Sequence, residues 1–185
     1  MRIVGGTARG TALAGLGRGD PAARLRPTAD RVRESLFNVL IQGRHGDLVT
    51  GAAVLDLFAG TGALALEALS RGALRATLVE NGRAAQALVR ANIARLRMQD
   101  RARLLPVDAR RLPPAPSPAT LIFLDPPYGA DLGAPALASA RAGGWIAPGA
   151  AIVWEEAAPQ PPPPGFRPLD ARRYGAAHVT LLQSE

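Results

Sequence analysis

Cysteine and lysine are both absent from this chain of 185 residues. Without cysteine the protein can form no disulfide and no thiolate metal site, and it cannot use a cysteine nucleophile to activate a pyrimidine ring. Without lysine it cannot contain a phosphate-binding loop of the kind that ends in Gly-Lys. The two histidines, His45 and His178, are far apart in the sequence, and we expect no metal site.

Long apolar runs are missing as well. Hydrophobic residues make up 48% of the chain, which is enough for one core, but no run approaches the roughly 20 residues that a membrane span requires. The first residues also lack the apolar stretch of a signal peptide. We therefore expect one cytoplasmic domain with no membrane contact, in which residues 1–27 form a basic N-terminal arm or hairpin and residues 28–185 form the core.

Positive charge is abundant and comes from arginine alone, giving a formal net charge of +7. Arginines are dense near the N-terminus, where only Asp20 and Asp30 oppose them within the first 33 residues. This asymmetry is typical of a protein that binds a polyanion such as nucleic acid, through Arg2, Arg9, Arg26, Arg31 and Arg33. The alternative is a GC-rich genome, whose codons favour arginine over lysine.

Helices and strands alternate along most of the sequence. A helix is predicted from about Thr28 to Ile41. Its core face is predicted to comprise Val32, Leu36, Val39 and Leu40, and its flanks Arg31 and Arg33. The remaining pattern predicts strands at 53–58, 75–80, 102–107, 120–125, 150–154, 166–170 and 177–183, and helices at 63–71, 83–96 and 132–142. Such alternation places helices on both faces of a mostly parallel sheet, so we predict a doubly wound α/β fold that ends in a hairpin.

The first strand of that sheet, residues 53–58, leads into a glycine turn, Ala59-Gly60-Thr61-Gly62, and then into an apolar helix. The glycines let the backbone turn tightly and approach a ligand, and the start of the helix offers free N–H groups. The carboxylate of Asp56 suits a cationic or hydroxyl-bearing ligand better than a phosphate. S-adenosylmethionine, which carries an ammonium and a sulfonium, fits this pattern.

Acids also end the next strands. Glu80 lies at the distance along the chain at which α/β nucleotide-binding folds place the acid that holds ribose hydroxyls. Ligands of an open parallel sheet bind outside the carboxyl ends of its strands, so a site at that edge is predicted from Asp56, Glu80, Asp108 and Asp125. A helix-capping role is the alternative for each of them.

The most distinctive segment is Asp125-Pro126-Pro127-Tyr128. Its two prolines lack N–H groups, so the carbonyls of Asp125 and Pro126 form a cluster of acceptors with the Asp125 carboxylate. An exocyclic amine can donate two hydrogen bonds into such a cluster while its base stacks on Tyr128. The segment therefore predicts chemistry on the amine of a nucleobase, and a plain strand-to-turn transition is the alternative.

These segments resemble those of a known family, the bacterial class I methyltransferases that modify the N2 amine of a guanine in 16S ribosomal RNA. The resemblance covers nearly the whole chain and rests on residues 2–6, 25–38, 56–64, 67–72 and 125–128. The proline-rich segments 113–118 and 159–164 depart from the family pattern, and we expect loops there. The resemblance implies a seven-stranded Rossmann-like sheet, with residues 28–185 as the cofactor-binding and catalytic core.

The resemblance also implies roles for individual residues. S-adenosylmethionine would be bound by Asp56, Phe58, Ala59, Gly60, Thr61, Gly62, Glu80, Asn81, Asp108 and Ala109. The target base would be held by the catalytic residues Asp125, Pro126, Pro127 and Tyr128. The implied partner is 16S ribosomal RNA, within the small subunit or an assembly intermediate, and we expect a monomer.

Two other functions fit the same residues. One is methylation of adenine N6 or cytosine N4 in DNA, which also uses an acid–Pro–Pro–Tyr site. Against it, DNA enzymes usually carry a target-recognition insert, and only about 50 residues precede Asp56. The other is a non-catalytic RNA-binding assembly factor that retains the cofactor fold.

Overall fold

The computed structural model describes residues 1–15 and 30–185. In this part of the chain, helices α1 to α4 span Asp30–Gln42, Ala63–Ser70, Arg83–Arg95 and Gly133–Ala142. Strands β1 to β7 span Ala53–Asp56, Arg75–Val79, Ala102–Leu105, Ala119–Leu124, Ile146–Glu156, Phe166–Tyr174 and Ala177–Ser184, and a short 3-10 helix spans Ala109–Arg111. None of the helices in these ranges is long and apolar enough to cross a membrane.

The seven strands form one sheet in the order β3-β2-β1-β4-β5-β7-β6. Neighbours among β1 to β5 pair in parallel, while β7 runs antiparallel to both β5 and β6. The predicted doubly wound, mostly parallel seven-stranded α/β sheet is therefore confirmed. In such a sheet the ends of β1 to β5 all lie along one edge, which we call the carboxyl edge.

Both faces of the sheet are covered. On the first face, α1, α2 and α3 pack in one apolar cluster with strand residues such as Val54 and Phe123. On the second face, α4 and the 3-10 helix pack with strand residues such as Leu55 and Ile122. Successive residues of a strand point to opposite faces, so the central strands β1 and β4 contribute to both cores and are mostly apolar.

Strands β5 and β6 are longer than predicted. The prediction for β5 covered only 150–154, its most apolar part, whereas the strand extends to Glu156. The extension forms because Glu155 and Glu156 pair with β7, at Val179 and His178. Backbone pairing therefore keeps two acids in a strand that hydrophobicity alone predicted to end at Trp154.

Helix α1 buries Leu36 and Leu40 as predicted, but the rest of its buried face differs from the prediction. Its buried residues are Arg33, Leu36, Phe37 and Leu40, whereas Val32 and Val39 are half-buried. The prediction that Arg33 lies on an exposed flank is wrong, because this side chain is 0% exposed. Its Nε donates to Oε2 of Glu67, a carboxylate that is itself buried in α2, at 3.4 Å. Burying either charge alone would be costly, so Arg33 and Glu67 are buried as an ion pair.

The N-terminal arm is docked on α2. An antiparallel bridge between Arg2 and Ala12 folds residues 1–14 back on themselves. The two carboxylate oxygens of Glu67 accept the N–H groups of Val4 and Gly5, each at 2.8 Å. The arm is thus anchored by the same carboxylate that pairs with α1.

Close backbone contact completes this docking. Gly6 has a φ of 75°, and a Cβ at that position would overlap the carbonyl of Ser70 at the end of α2. Ser70 Oγ donates to the Gly5 carbonyl at 2.6 Å and accepts the N–H of Ala8 at 2.9 Å. Only glycine combines this backbone conformation with so close an approach.

Candidate active site at the carboxyl edge

The turn that follows β1 lies across the ends of the two neighbouring strands. The N–H of Leu57 donates to a carbonyl of β4, and the N–H of Ala59 donates to the last carbonyl of β2, both at 3.0 Å. Glu80 directly follows β2 and Asp125 directly follows β4. One short turn therefore connects the segment predicted to bind a cofactor with the segment predicted to hold a base.

The backbone of this turn requires its glycines. Gly60 and Gly62 have φ values of 56° and 81°, in the left-handed region that other residues rarely adopt. A Cβ at Gly62, the residue before α2, would also lie 2.9 Å from the side chain of Leu78. The glycines consequently allow a tight backbone turn directly before α2, as the glycine pattern predicted.

A buried asparagine of α3, which the sequence analysis did not identify, ties the turn to the N-terminal arm. Asn92 donates from Nδ2 to the Thr61 carbonyl at 2.9 Å and to the Ala14 carbonyl at 3.1 Å. Its Oδ1 accepts the N–H of Ala14 at 2.7 Å. A polar residue at a core position of an otherwise apolar helix face is the sequence signal that could have revealed it.

Asp56, at the end of β1, is buried beneath this turn with 1% of its surface exposed. Neither of its carboxylate oxygens has a hydrogen-bond partner within the described ranges. Burial raises the pKa of Asp56 to about 7; the negative charge of Glu80 adds to the increase, and the nearby backbone amides of Ala65 and Phe58 oppose it. An unpartnered buried carboxylate is costly, and a cationic ligand would relieve that cost.

Glu80 is a backbone clamp in this structure. Its Oε2 accepts the N–H of Gly60 at 2.9 Å, and its Oε1 accepts the N–H of Gly82 at 2.7 Å. The carboxylate thereby joins the glycine turn after β1 to the start of α3. Each of its oxygens can accept a further hydrogen bond, so hydroxyl groups of a ligand could share this carboxylate.

The other predicted cofactor residues lie around this pair. Asp108 follows β3 and caps the 3-10 helix by accepting the Arg110 N–H at 2.9 Å. Its side chain also binds the Arg110 guanidinium, at 2.6 Å from Nη2, and this hydrogen bond lowers the pKa of Asp108. Ala59 and Ala109 are buried, Phe58 and Thr61 are half-buried and Asn81 is exposed.

The acid–Pro–Pro–Tyr segment forms the other half of the edge. Asp125 is half-buried, Pro126 is buried and Pro127 is exposed, while Tyr128 is 36% exposed. Burial raises the pKa of Asp125 well above its ordinary value, with further contributions from the charges of Glu155, Asp56 and Glu156. The segment offers an acceptor of high proton affinity next to an accessible aromatic ring.

Two acids at the end of β5 join this segment, and the sequence analysis missed both. Glu155 and Glu156 are 8% and 7% exposed. Oη of Tyr128 donates to Oε1 of Glu155 at 2.9 Å. The consecutive acids directly after the predicted strand 150–154 were the available signal, since the other parallel strands of the sheet also end in acids.

The arginines predicted to bind RNA are placed differently from one another. Arg9 and Arg31 are exposed and have no ion-pair partner among the described residues. Arg2 is exposed but pairs with Asp30, at 3.4 Å between Nε and Oδ2. Arg26 lies outside the described residues. Arg33 is removed from the candidate set, because its buried side chain is engaged with Glu67 and Asp30.

Known proteins share both the sequence and the fold. A family model described as Conserved hypothetical protein 95 matches residues 1–183. Ribosomal RNA small subunit methyltransferase D of Escherichia coli strain K12 is 39% identical over 156 residues, which cover 84% of this chain and 74% of that protein. The chain belongs to this ribosomal RNA methyltransferase family.

Another relative and a solved structure extend the family likeness over the full length. The protein of the same name from Haemophilus influenzae is 30% identical over 190 residues, covering 100% of this chain and 94% of that protein. The structure of yhhF from Escherichia coli superposes with a TM-score of 0.82 at 35% identity, covering 100% of this chain and 98% of that one. The N-terminal arm is therefore within the region that the family shares.

Proposed function

We propose that this protein transfers the methyl group of S-adenosylmethionine to the N2 amine of a guanine in small-subunit ribosomal RNA. One observation carries the proposal. The turn after β1 is hydrogen-bonded to both β2 and β4, so the glycine turn and the acid–Pro–Pro–Tyr segment share one edge of the sheet. The relatives named as small-subunit methyltransferases support the choice of ribosomal RNA.

The residues of the turn suit S-adenosylmethionine in charge and shape. The unpartnered carboxylate of Asp56 would receive a cationic group, and the glycine turn after β1, which has no side chain at Gly60 or Gly62, would allow close approach. The remaining acceptor capacity of Glu80 would serve ribose hydroxyls, and Asp108 and Ala109 would flank the adenine. When bound, the cofactor supplies an electrophilic methyl group and a sulfur leaving group.

Asp125 and Pro126 would orient the guanine amine. The amine lone pair is delocalised into the purine ring, so the nitrogen is a poor nucleophile until its geometry changes. Acceptors at the Asp125 carboxylate and the Pro126 carbonyl would draw both amine hydrogens out of the ring plane, which favours a pyramidal nitrogen. Tyr128 would stack on the base and hold it in line with the methyl group.

Asp125 would also take the proton that the reaction releases. As the bond from N2 to the methyl carbon forms and the carbon–sulfur bond breaks, positive charge develops on N2. The Asp125 carboxylate stabilises that charge, and one proton of N2 then passes to it. Its raised pKa, caused mainly by burial, makes this carboxylate a better proton acceptor than an ordinary aspartate.

The substrate would be a guanine in a loop or other unstacked region, since sequence-specific RNA recognition mostly uses such sites. Phosphate contacts would come from exposed arginines such as Arg9 and Arg31. The protein would act in the cytoplasm, where ribosomes assemble, as a single copy of the chain.

The decisive experiment is methyl transfer from labelled S-adenosylmethionine to small subunits isolated from a strain that lacks this protein. Nucleosides from the digested RNA are then separated and identified. We expect label in N2-methylguanosine. Label in another nucleoside, or transfer only to DNA with methylated adenine or cytosine, would contradict the proposed amine, and binding without transfer would indicate an assembly factor.

The variant Asp125→Ala connects this activity to the site. Removal of one positioned charge-stabilising group typically lowers the rate by about 100-fold or more, whereas cofactor affinity measured by calorimetry should stay near that of the wild type. Arg103→Ser, which changes an exposed residue of β3, is the matched control and should retain full activity. Loss of cofactor binding in Asp125→Ala would instead assign this carboxylate to the cofactor.

A further inference from the structure

Glu155 lies beside Asp125 on the same face of the sheet. Leu124 of β4 pairs with Trp154 of β5, and both side chains belong to the core of the second face. Residues that follow them point to the opposite face, because side chains alternate along a strand. Asp125 and Glu155 are therefore neighbours above the first face, at the carboxyl edge.

The ring of Tyr128 is anchored to this second acid. Tyr128 is exposed at the surface, yet its Oη donates to Oε1 of Glu155 at 2.9 Å, and Glu155 itself is buried. A phenol held at its hydroxyl by a buried carboxyl group keeps a narrower range of ring orientations than a free one. No arginine forms an ion pair with Glu155 or Asp125 among the described residues.

We infer that Glu155 is a positioning residue for the proposed methyl transfer: its hydrogen bond fixes the ring of Tyr128 against the target base, and its carboxyl group lies beside that of Asp125. The inference rests on the proposed function. It assigns a role to a residue that lies outside the acid–Pro–Pro–Tyr segment and is brought to it only by the pairing of β4 with β5. Without Glu155, nothing would connect the orientation of the Tyr128 ring with the carboxylate of Asp125.

The electrostatics of the cluster support this role. Burial raises the pKa of Glu155, and the hydrogen bond from Tyr128 opposes the increase. The charged groups that face Asp125 are Glu155 from β5, Asp56 from β1 and Glu156 from β5. Of these three charges, that of Glu155 raises the pKa of Asp125 most, although burial has the larger effect. Neutralising Glu155 should therefore lower the pKa of Asp125, so that it ionises at a lower pH.

Conservative variants separate the effect of the hydrogen bond to Tyr128 from the effect of the negative charge beside Asp125. Glu155→Gln keeps an oxygen that can accept from Tyr128 but removes the charge, while Tyr128→Phe removes the donor and keeps the ring. We expect Tyr128→Phe and Glu155→Ala each to lower kcat roughly tenfold, as for loss of one charge-assisted hydrogen bond. The double variant Tyr128→Phe/Glu155→Ala should have a kcat no lower than that of the slower single variant, because both changes break the same hydrogen bond.

The dependence of kcat on pH provides a second test, because a purely structural role of Glu155 would not change it. The acid limb of kcat for Glu155→Gln should shift to lower pH than that of the wild type, since Asp125 loses a neighbouring negative charge. Asp100→Asn, an equal change of charge at an exposed turn, should leave both the profile and kcat unchanged. Cofactor affinity should be unaffected in all variants.

Two results would overturn the inference. Multiplicative losses in the double variant would show that Tyr128 and Glu155 act separately, and an unshifted acid limb in Glu155→Gln would show that its charge does not reach Asp125. If Glu155→Ala does not fold, Tyr128→Phe still tests the hydrogen bond through its kcat, and Glu155→Gln still tests the charge through its acid limb. A wild-type protein that forms no N2-methylguanosine would refute the proposed function itself, which is a different outcome from normal activity in every Glu155 variant.

Discussion

Replacing Asp56 with asparagine tests the buried carboxylate at the centre of the proposed cofactor site. The side chain is 1% exposed, and its oxygens have no hydrogen-bond partner in the described part of the chain. Burial raises its pKa from 3.8 to about 7. The folded protein therefore binds more protons than the unfolded chain between about pH 4 and pH 7, so stability from this group falls as pH rises through that window and is constant above it.

The size of the effect follows from the two pKa values. A difference of about 3 pH units at 1.36 kcal/mol each amounts to about 4 kcal/mol by pH 8. Part of this has already developed at pH 5, which leaves about 2–3 kcal/mol between pH 5 and pH 8. Asparagine does not titrate, so the stability of Asp56→Asn minus that of the wild type should increase by that amount over the same interval.

Urea unfolding of both proteins at pH 5, 6, 7 and 8, without cofactor, measures this difference. The unpartnered amide of asparagine lowers the free energy of unfolding by an amount that does not depend on pH. The informative quantity is therefore the change with pH of the difference in unfolding free energy between the two proteins. Asp125, Glu155 and Glu156 also titrate with raised pKa values, but they remain in both proteins and largely cancel. A difference that is flat with pH would refute the assignment of a raised pKa to Asp56. Calorimetry should show weaker S-adenosylmethionine binding by the same variant.

Two further predictions concern the cofactor and RNA surfaces. Glu80→Ala should weaken S-adenosylmethionine binding by roughly 1.5–3 kcal/mol, the range for hydrogen bonds to a charged group; calorimetry with unchanged affinity would limit Glu80 to its clamp between Gly60 and Gly82. The double variant Arg9→Ser/Arg31→Ser should reduce the salt slope of ribosomal RNA binding by about 1–2, because each lost phosphate contact retains its counterions. Arg90→Ser/Arg103→Ser removes two exposed charges elsewhere, and an equal change of slope in this control would show that only net charge matters.

The parallel part of the fold could be predicted because its signals are local. Each of β1 to β4 is a short, largely apolar run with an acid at its end or shortly after it, and the helices between them carry a periodic apolar face. The length of β5 could not be predicted in the same way, since Glu155 and Glu156 remain in the strand through pairing with β7. Pairing partners far along the chain leave no trace in local hydrophobicity.

The candidate site likewise contains residues with a local sequence signal and residues that only the fold brings into place. Residues within one continuous segment, such as Gly60 with Gly62 or Asp125 with Tyr128, could be proposed from the sequence because the whole pattern lies in a few neighbouring residues. Glu155 and Asn92 could not, since each acts on a segment that the fold brings close. Asn92 reaches Thr61 and Glu155 reaches Tyr128, across 31 and 27 residues of sequence.

Arg33 shows how the same physics could have corrected a prediction. Helix α2 has the sequence Ala-Leu-Ala-Leu-Glu-Ala-Leu-Ser, so its single acid, Glu67, sits on a helix that is otherwise almost entirely apolar and has to be buried. A buried carboxylate needs cationic or N–H partners, and Arg33, Arg71 and the backbone of the N-terminal arm provide them. Removing Arg33 would leave Glu67 with fewer partners in the core, a change that commonly costs several kcal/mol. Weaker RNA binding by an Arg33 variant would therefore report the loss of this docking, and Arg9 and Arg31 are the residues with which RNA contact can be tested without disturbing the fold.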